Sequence, residues 1–471
     1  MARNDKHSTS ADHVSGNLSP VTRKVDAPVF SQPAPTEDPT KFRIAHASDT
    51  KAYGEIDALN KAHKIKPMKF PKPRGGVEPI LTLQQVLGGV DGASPQAAAF
   101  ANGRIDAINK QKQIVFHSLG DCGSTRGPNT QNLVVDKMLG DFKESDAKEI
   151  PQFNLMLGDV VYSFGEAIYY YDQFYEPYRD YPAPILAAAG NHDGMVSPIA
   201  GAKSLEAYLR NFCAEKFVIT PDAVSLSRTA QIQPGVFFTF EAPFVRVLVL
   251  YSNTLEDPGV IADDDIGYSQ TAFIEAALRR AKDENYAGAI LFANHHPPFT
   301  AGRHGWSVKM LKQIDDICAK VKLWPHAFLS GHAHNYQRFT RTRPDGTQIP
   351  HIVCGNGGHN HQPLSKSGGH TIRAPQIMQK AGDKTDLLVL ENYDDQDYGY
   401  LRIIADKAQL RIEYHLASDG TWTKAPDDSV TLDLQTRKLV HYVANDLGHV
   451  KAGAAVAKDA KRLSGKKAAK R

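Results

Sequence analysis

Polar side chains that can bind metal ions or transfer protons follow five apolar segments of the chain, directly where each segment ends. The five clusters are Gly120-Asp121-Cys122-Gly123, Gly158-Asp159-Val160-Val161-Tyr162, Gly190-Asn191-His192-Asp193, Asn294-His295-His296-Pro297 and Gly331-His332-Ala333-His334. Ligand-binding groups of α/β proteins lie in such places, just beyond the carboxyl ends of strands. The clusters supply carboxylates, an amide oxygen, a phenol and imidazoles, a mixture that favours transition metals over Mg²⁺ or Ca²⁺. The sequence therefore predicts a transition-metal site.

Each cluster taken alone has a simpler interpretation. A Gly-Asp pair after a strand is commonly a turn, and a His-His pair is commonly part-exposed. The His-x-His pair formed by His332 and His334 is more specific, because alternate residues of an extended segment can reach two adjacent ions. Five clusters in one chain, each after a strand, favour one shared site over five unrelated turns.

The segments that precede the clusters are short and apolar, and they alternate with windows of helical periodicity. Strands are expected at 114–116, 153–157, 185–189, 245–251, 289–293 and 327–329, and helices near 129–142 and from Ser269. Strands with nearly continuous apolar residues are buried on both faces, which predicts α/β layering.

Composition divides the chain into four parts. Residues 1–43 are polar and proline-rich, which predicts a disordered or draped segment. Residues 44–112 show no alternating strands and are expected to form a wrapping extension. Residues 113–436 carry the strand and helix pattern and are expected to form the domain that holds the site. Residues 437–471 are expected to be a C-terminal segment with a basic, flexible tail.

Amino-acid composition is typical of globular proteins. The chain has 471 residues, of which 41% are hydrophobic and 23% charged. No apolar run approaches the length of a membrane-spanning helix, and the first residues lack the apolar run of a secretory signal. The four cysteines are too widely spaced to form a disulfide framework. These features favour a reduced, cytoplasmic protein.

Charge is distributed unevenly along the chain, although the formal net charge is only +3. Residues 451–471 hold eight Lys and Arg residues and one Asp. Such a tail is expected to be solvated and flexible. Contact of this tail with nucleic acid or with an acidic partner is the alternative.

The order of the clusters resembles that of the calcineurin-like metallophosphoesterases, and specifically of their purple acid phosphatase branch. The last and longest motif of that pattern is matched in full by Gly331-His332-Ala333-His334-Asn335-Tyr336-Gln337-Arg338. The resemblance covers residues 113–360. It implies an α/β fold of the calcineurin-like kind, a four-layer αββα sandwich in which helices flank two mixed β-sheets.

The resemblance also implies a binuclear metal centre. It assigns Asp121, Asp159, Tyr162 and His334 to the first ion, and Asp159, Asn191, His295 and His332 to the second. A carboxylate shared by two cations about 3.5–4 Å apart would lower the pKa of a bound water and so supply hydroxide. That hydroxide would attack a phosphate ester in line, while the ions neutralise the phosphoryl oxygens.

Two of these assignments have alternatives. Either His295 or His296 could be the ligand; the family places the ligand two residues before proline, which selects His295 and leaves His296 as a neighbouring or substrate-facing group. Tyr162 could instead be a packed aromatic residue in a tyrosine-rich region. As a ligand, its phenolate would favour Fe(III), next to a divalent Fe, Zn or Mn ion.

Other histidines are candidates for the remaining catalytic roles. His192 would face the phosphoryl group, and His304 would donate a proton to the leaving alkoxide. The residue after His304 is Gly305 and not a second histidine as in plant members of the family, which argues against a two-histidine donor. His359 and His361, in a glycine-rich stretch, are candidates for lining the pocket. Cys122 is expected to pack as a small apolar side chain.

The expected activity is hydrolysis of phosphate monoesters, small-molecule substrates. The alternative within the same class is a phosphodiesterase that acts on cyclic nucleotides or glycerophosphodiesters. A different class, a binding protein that retains the scaffold without activity, is disfavoured because every ligand position is filled.

Overall fold

A computed structural model describes most of the chain. The described residues are 22–32, four positions between 51 and 58, 69–195, 203–253, 258–364, 372–380, 385–418 and 422–441. Among them, no helix combines the length and the apolar character needed to cross a membrane. The expectations for the basic tail after residue 441 and for residues 1–21 concern parts of the chain outside the described residues.

The described residues form many short strands and seven α-helices. The strands are β1 (Arg23–Lys24), β2 (Ile80–Thr82), β3 (Ile114–Leu119), β4 (Asn154–Met156), β5 (Ile185–Ala187), β6 (Val218–Ile219), β7 (Phe238–Ala242), β8 (Val245–Val249), β9 (Ala289–Asn294), β10 (Ala327–Ser330), β11 (Tyr336–Thr342), β12 (Gln348–Cys354), β13 (Gln376–Gln379), β14 (Leu387–Asp394), β15 (Gly399–Ala405), β16 (Gln409–Leu416), β17 (Asp428–Asp433) and β18 (Lys438–Leu439). The helices are α1 (Leu83–Val86), α2 (Pro95–Gln111), α3 (Asn129–Gly140), α4 (Asn191–Gly194), α5 (Glu206–Phe212), α6 (Ser269–Asp283) and α7 (Val308–Val321).

Two mixed sheets dominate the fold. One has nine strands in the order β13-β14-β11-β12-β10-β9-β8-β7-β2, and the other has seven in the order β18-β17-β16-β15-β3-β4-β5. The strands β3, β4 and β5 are parallel to one another, as are β8, β9, β10 and β12. Each sheet also has a side on which the strands are antiparallel. In the nine-stranded sheet β14 pairs antiparallel with β11, and in the seven-stranded sheet β16 pairs antiparallel with β15.

The two sheets pack face to face around the main hydrophobic core. The ring of Phe153, beside β4, lies 4.9 Å from that of Phe240 in the other sheet. Tyr336 on β11 stacks on Tyr414 of β16 with ring centroids 3.9 Å apart. Every residue of β3 and of β9 is buried, as expected for strands covered on both faces. The predicted αββα sandwich is therefore confirmed.

The helices that flank the sheets follow simple sequence signals. In α6, residues such as Phe273, Ala277 and Ala281 recur at helical spacing and are buried, which fixes one face of the helix against the sheet. In α2, Ser94 accepts a hydrogen bond from the backbone N–H of Ala97, and Pro95 occupies the first helical position. Both features favour helix initiation at this point.

Part of the N-terminal region contributes to these layers. The segment 22–32 lies along the domain: β1 pairs with β6, and the N–H of Gln32 donates to the carbonyl of Arg179 at 2.7 Å. Residues 44–112, expected to be a wrapping extension without alternating strands, include one short strand, since Ile80–Thr82 pairs with β7 at the edge of the nine-stranded sheet. A strand of three residues is too short to show a recognisable alternation of apolar and polar positions.

The parallel strands bring the five polar clusters together. The loops after β3, β4 and β5 come from one sheet, and those after β9 and β10 come from the other. The two sheets meet closely here, since a Cβ atom added to Gly120 would lie 3.1 Å from the Cα atom of Gly331. The clusters that the sequence singles out therefore converge at one edge of the sandwich.

Candidate metal centre

Three side chains from different loops form a first donor set, which consists of Asp121, Tyr162 and His334. The Tyr162 hydroxyl donates to Oδ1 of Asp121 at 3.0 Å and lies 3.4 Å from Nε2 of His334. The same His334 nitrogen lies 3.3 Å from Oδ1 of Asp121. All three residues are buried. The structure thus brings together three of the four side chains that the resemblance assigned to the first ion.

The orientation of His334 directs Nε2 into this set. Its Nδ1 lies 2.8 Å from the carbonyl oxygen of Asn360. Because a carbonyl can only accept, Nδ1 carries a proton, and Nε2 is the ring nitrogen that faces Asp121 and Tyr162. Such a second hydrogen bond is what orients most metal-binding histidines.

The second donor set consists of Asn191, His295 and His332, next to the carboxylate of Asp159. Oδ1 of Asn191 lies 2.9 Å from Nε2 of His295 and 3.0 Å from Nδ1 of His332. These two ring nitrogens are 3.2 Å apart, and Nε2 of His295 is 3.3 Å from Oδ2 of Asp159. Ligand atoms of Asp159, His295 and His332 lie within 4.8 Å of one another.

The chemistry of this second set fits a cation. Nδ1 of His295 lies 2.8 Å from the carbonyl oxygen of Leu157, so Nδ1 carries a proton, and Nε2 is the ring nitrogen that faces Asn191. The Asn191 oxygen and the Asp159 carboxylate can only accept, and both approach this nitrogen. A metal ion is the group that satisfies several converging lone pairs at once.

Asp159 connects the two donor sets. Although burial opposes its ionisation, His295 and His192 hold the pKa of the Asp159 carboxyl well below its usual range. Burial, and then the charges of Asp121 and Asp159, raise the pKa of the Tyr162 phenol well above its usual range. The Asp159 carboxylate therefore changes the pKa of one residue in each donor set, Tyr162 in the first and His295 in the second.

The electrostatics of the centre favour added positive charge. Burial lowers the pKa of His295, but the Asp159 carboxylate outweighs this effect and raises that pKa to about 9. The ring would thus bind a proton at neutral pH. Protonation supplies the positive charge that a cation would supply when bound at the same place.

Strained backbone accompanies the predicted ligands. Asp121, Asp159 and His332 have φ values of 55°, 52° and 69°, in the left-handed region. Each such residue costs about 1–3 kcal/mol and persists where surrounding structure enforces it, commonly at functional sites. Gly190 is required by close approach, because a Cβ atom there would overlap the Asp159 carboxylate.

Asp193 is a structural member of the site that the sequence analysis did not assign. Its carboxylate accepts from the N–H of Gly190 at 2.9 Å and from the N–H of Val160 at 3.1 Å. Burial, and then the charge of Asp159, raise the pKa of Asp193 to about 7. Asp193 therefore joins the loop that presents Asp159 to the loop that presents Asn191. Its position in the Gly-Asn-His-Asp cluster was the available signal.

The three histidines predicted for catalysis lie around the centre at different depths. The backbone N–H of His192 donates to Oδ1 of Asp159 at 2.9 Å, and its ring lies 4.1 Å from that of Tyr162. His296 turns Nδ1 to the Ser252 hydroxyl at 3.1 Å and places its ring 4.3 Å from that of His332. His295, not His296, reaches Asn191 and Asp159.

His304 approaches the second donor set from the loop before α7. Its ring lies 4.0 Å from the ring of His332, and the residue is partly exposed. Burial first, and then the neighbouring His304 and His296, hold the pKa of His332 well below its usual range. His332 is therefore neutral, as a ligand must be, and His304 lies between the buried centre and solvent.

Two candidates outside the ligand set have contrasting environments. His359 stacks on Tyr162 with ring centroids 3.7 Å apart, whereas the ring of His361 lies 3.8 Å from that of Tyr398 and is tilted by 34°. Cys122 is fully buried, and burial raises the pKa of its thiol above the usual range. This environment agrees with the packing role expected for Cys122.

Comparison with protein families identifies the domain that carries this centre. Residues 119–336 match the family model for the calcineurin-like phosphoesterases. This part of the chain is therefore a calcineurin-like phosphoesterase domain, and the family expected from the order of the motifs is confirmed.

Individual relatives are distant and correspond to parts of the chain. A curated protein of Arabidopsis thaliana, named probable inactive purple acid phosphatase 9, is 24% identical over 169 residues, which are 33% of this chain and 24% of the relative. The chain thus spans about a quarter of that relative's length. By its name, that relative belongs to the purple acid phosphatase group, which the order of the motifs led us to expect.

Two of the solved structures that align with this chain are described as proteins of different kinds. The purple acid phosphatase PPD1 of yellow lupin (Lupinus luteus) aligns with a TM-score of 0.46 and 18% identity, over 68% of this chain and 54% of that one. GAP50, described as the anchor in the inner membrane complex of Plasmodium, aligns with a TM-score of 0.46 and 15% identity, over 68% of this chain and 89% of that one.

Proposed function

We propose that the protein is a binuclear metal-dependent hydrolase of phosphate esters, and that its substrates are phosphate monoesters. The observation that supports this proposal is that the Asp159 carboxylate lies 3.3 Å from Nε2 of His295 in the second donor set and, after burial and Asp121, also raises the pKa of Tyr162 in the first. The first set contains a phenol, a carboxylate and an imidazole, and the second contains an amide oxygen and two imidazoles. Each set offers enough ligands for one ion, and the shared carboxylate joins them.

Two ions held there would supply a deprotonated water as nucleophile and positive charge opposite the phosphoryl oxygens. The protein's own residues have separate tasks. Asp121 and His334 would hold the first ion with Tyr162, and the left-handed backbone at Asp121 fixes this carboxylate before substrate arrives. His192, whose backbone N–H holds Oδ1 of Asp159 and whose ring lies beside Tyr162, would face the phosphoryl group.

The identity of the first ion follows from Tyr162. Burial and two neighbouring carboxylates raise the pKa of its phenol well above the usual range, so a strongly polarising cation is needed to ionise it. Fe(III) meets that requirement better than a divalent ion. The second set, rich in imidazole, suits a divalent Fe, Zn or Mn ion.

An inactive scaffold is the main competing interpretation, since the Arabidopsis relative carries the word inactive in its name. The donor sets of this chain argue against it. All seven predicted ligands are present and buried, and three of them adopt left-handed backbone conformations. A site that no longer binds metal has no reason to retain this strain.

Hydrolysis assays on reconstituted protein test the proposal directly. The full chain is freed of metal, loaded with Fe(III) and then with Zn(II), and assayed with p-nitrophenyl phosphate and with bis(p-nitrophenyl) phosphate. We expect metal-dependent turnover of the monoester that exceeds turnover of the diester. A larger rate on the diester would transfer the assignment to a phosphodiesterase, and the absence of turnover on both would contradict the proposed activity.

A further inference from the structure

His359 contacts every member of the first donor set, Tyr162 and His334 through its imidazole and Asp121 through its backbone. Its ring is nearly parallel to that of Tyr162, with centroids 3.7 Å apart and planes 5° apart. Its ring is also perpendicular to that of His334 at 4.8 Å. Its backbone N–H donates to the carbonyl oxygen of Asp121 at 2.9 Å. No assigned ligand role accounts for these contacts.

The orientation of His359 is fixed by the loop that follows Asp121. Its Nδ1 lies 2.8 Å from the carbonyl oxygen of Gly123, which can only accept, so Nδ1 carries the proton. Burial first, and then His334 and His192, hold the pKa of His359 well below its usual range. The ring is therefore neutral, and it stacks on the phenol ring without adding charge.

The segment that carries His359 is itself held firmly against the centre. The N–H of Gly357 donates to the carbonyl of Gly120 at 3.0 Å, and the Thr130 hydroxyl donates to the carbonyl of Gly358 at 2.5 Å. The side-chain amide of Asn356 donates to the Tyr414 hydroxyl at 2.7 Å, across to the seven-stranded sheet. The backbone that carries the His359 ring is thus held by hydrogen bonds to three other segments of the chain.

We propose that His359 is a positioning residue that holds the Tyr162 phenol in the orientation needed to bind the first ion. The proposal rests on the proposed binuclear site and assigns to it a residue outside the ligand set. An aromatic ring stacked face to face restricts rotation of Tyr162 away from Asp121 and His334. Hydrogen-bonding partners of metal ligands change metal affinity by about 10- to 100-fold when removed, and for a stacked ring we expect an effect at the lower end of that range.

Metal binding by three variants separates stacking from the mere presence of a side chain. His359→Phe keeps an aromatic ring, His359→Leu keeps bulk without a flat face, and His359→Ala removes both. His361→Ala is the matched control, since the ring of His361 packs against Tyr398 instead of Tyr162. Affinity for Fe(III) is measured by chelator competition, and the iron–phenolate absorption band is recorded for each full-length variant.

We expect His359→Ala and His359→Leu to bind Fe(III) about tenfold more weakly, with a weakened and shifted absorption band. His359→Phe and His361→Ala should resemble the wild type in both respects. Unchanged affinity and absorption in the Ala and Leu variants would overturn the proposal. So would a Phe variant that behaves like the Leu variant, or a His361→Ala protein with the same losses.

A structural measurement keeps this test separate from the proposed function. If the wild type shows no iron–phenolate band, the Fe(III) assignment fails, but metal-free crystals of His359→Ala still decide the positioning role. Loss of the hydrogen bond between the Tyr162 hydroxyl and Asp121 would support the role of His359. A Tyr162 side chain that stays in place would overturn it. If the Ala variant does not fold, the Leu variant serves for the same comparison.

Discussion

The Asp159 carboxylate contacts His295, Nε2 of which lies 3.3 Å from Oδ2, and it also acts on the Tyr162 phenol. It is fixed by the backbone N–H of His192 and confined by Gly190. The Asp159 side chain is buried, so solvent has little access to its carboxylate oxygens. At the scale of single residues, two ions are therefore expected to depend on this one group.

Replacement of Asp159 tests that dependence. Asp159→Asn preserves shape but removes the charge, so we expect metal content to fall to one ion or none and monoester turnover to fall at least about 100-fold. Elemental analysis and steady-state kinetics measure the two effects. Asp406→Asn is the matched control, because Asp406 is a buried carboxylate that accepts backbone N–H groups of Ala408 and Gln409 in a turn. Full turnover by Asp159→Asn would disprove the shared-carboxylate role.

Replacement of His304 tests proton donation to the leaving group. A general acid matters when the leaving alkoxide is basic and matters little when the leaving phenolate is already stable. We expect His304→Ala to slow an alkyl phosphate at least about tenfold more than p-nitrophenyl phosphate. The exposed neighbour Arg303, replaced by Ala, provides the control. An equal effect of His304→Ala on both substrates would remove the proton-donor role.

At the scale of elements, a buried ion network joins the seven-stranded sheet to the turn before β4. Arg402 on β15 donates to Glu413 on β16 at 2.9 Å and to Glu149 at 2.5 Å. Its side chain is buried, so its charge depends on both carboxylates for stabilisation. Because β15 pairs with β3, the network also supports the strand that ends at Asp121.

Loss of Arg402 should therefore destabilise the domain strongly. Arg402→Met removes the cation between Glu149 and Glu413, of which Glu413 keeps Arg411 as a partner, and we expect the free energy of unfolding to fall by about 3 kcal/mol. Urea denaturation measures this change. Arg279→Ala, which removes an exposed pair with Glu275, should cost less than about 1 kcal/mol. Comparable losses in the two variants would show that burial of the network contributes little.

The sequence predicted the elements whose signal is local. The buried strands before Asp121, Asp159 and His295 were recognisable because each is a short apolar run that ends in a polar cluster. The contact between His359 and Tyr162 could not be predicted in the same way. It joins loops far apart in the chain, and nothing in the glycine-rich stretch specifies which aromatic ring its histidine meets.

At the scale of the whole molecule, stability should depend on pH through buried histidines. Burial, and then the charge of Arg437, lower the pKa of His326 to about 3. Its Nδ1 accepts the N–H of Ile290 at 2.9 Å, which requires the neutral form. At pH values between the pKa of His326 in the unfolded chain, near 6.5, and its lower value in the folded protein, only the unfolded chain binds a proton at His326. Stability contributed by His326 is thus present above about pH 6.5 and is lost as the pH falls.

Urea denaturation of the metal-free protein at pH 7, 6 and 5 measures this loss. The contribution of His326 approaches about 1.4 kcal/mol per pH unit below pH 6. His326→Asn can still accept from Ile290 but cannot titrate, so its stability should fall less steeply with acidification. Replacement of the exposed His441 by Asn serves as the control. Equal slopes for His326→Asn and the wild type would contradict the prediction.

The most direct test of the whole account is the number of metal ions that the full-length protein binds. Metal-free protein is incubated with Fe(III) and Zn(II), excess metal is removed by gel filtration, and the bound ions are counted by inductively coupled plasma mass spectrometry. We predict two ions per chain, one of each kind. A protein that retains one ion or none would contradict the central claim that Asp159 joins two complete donor sets.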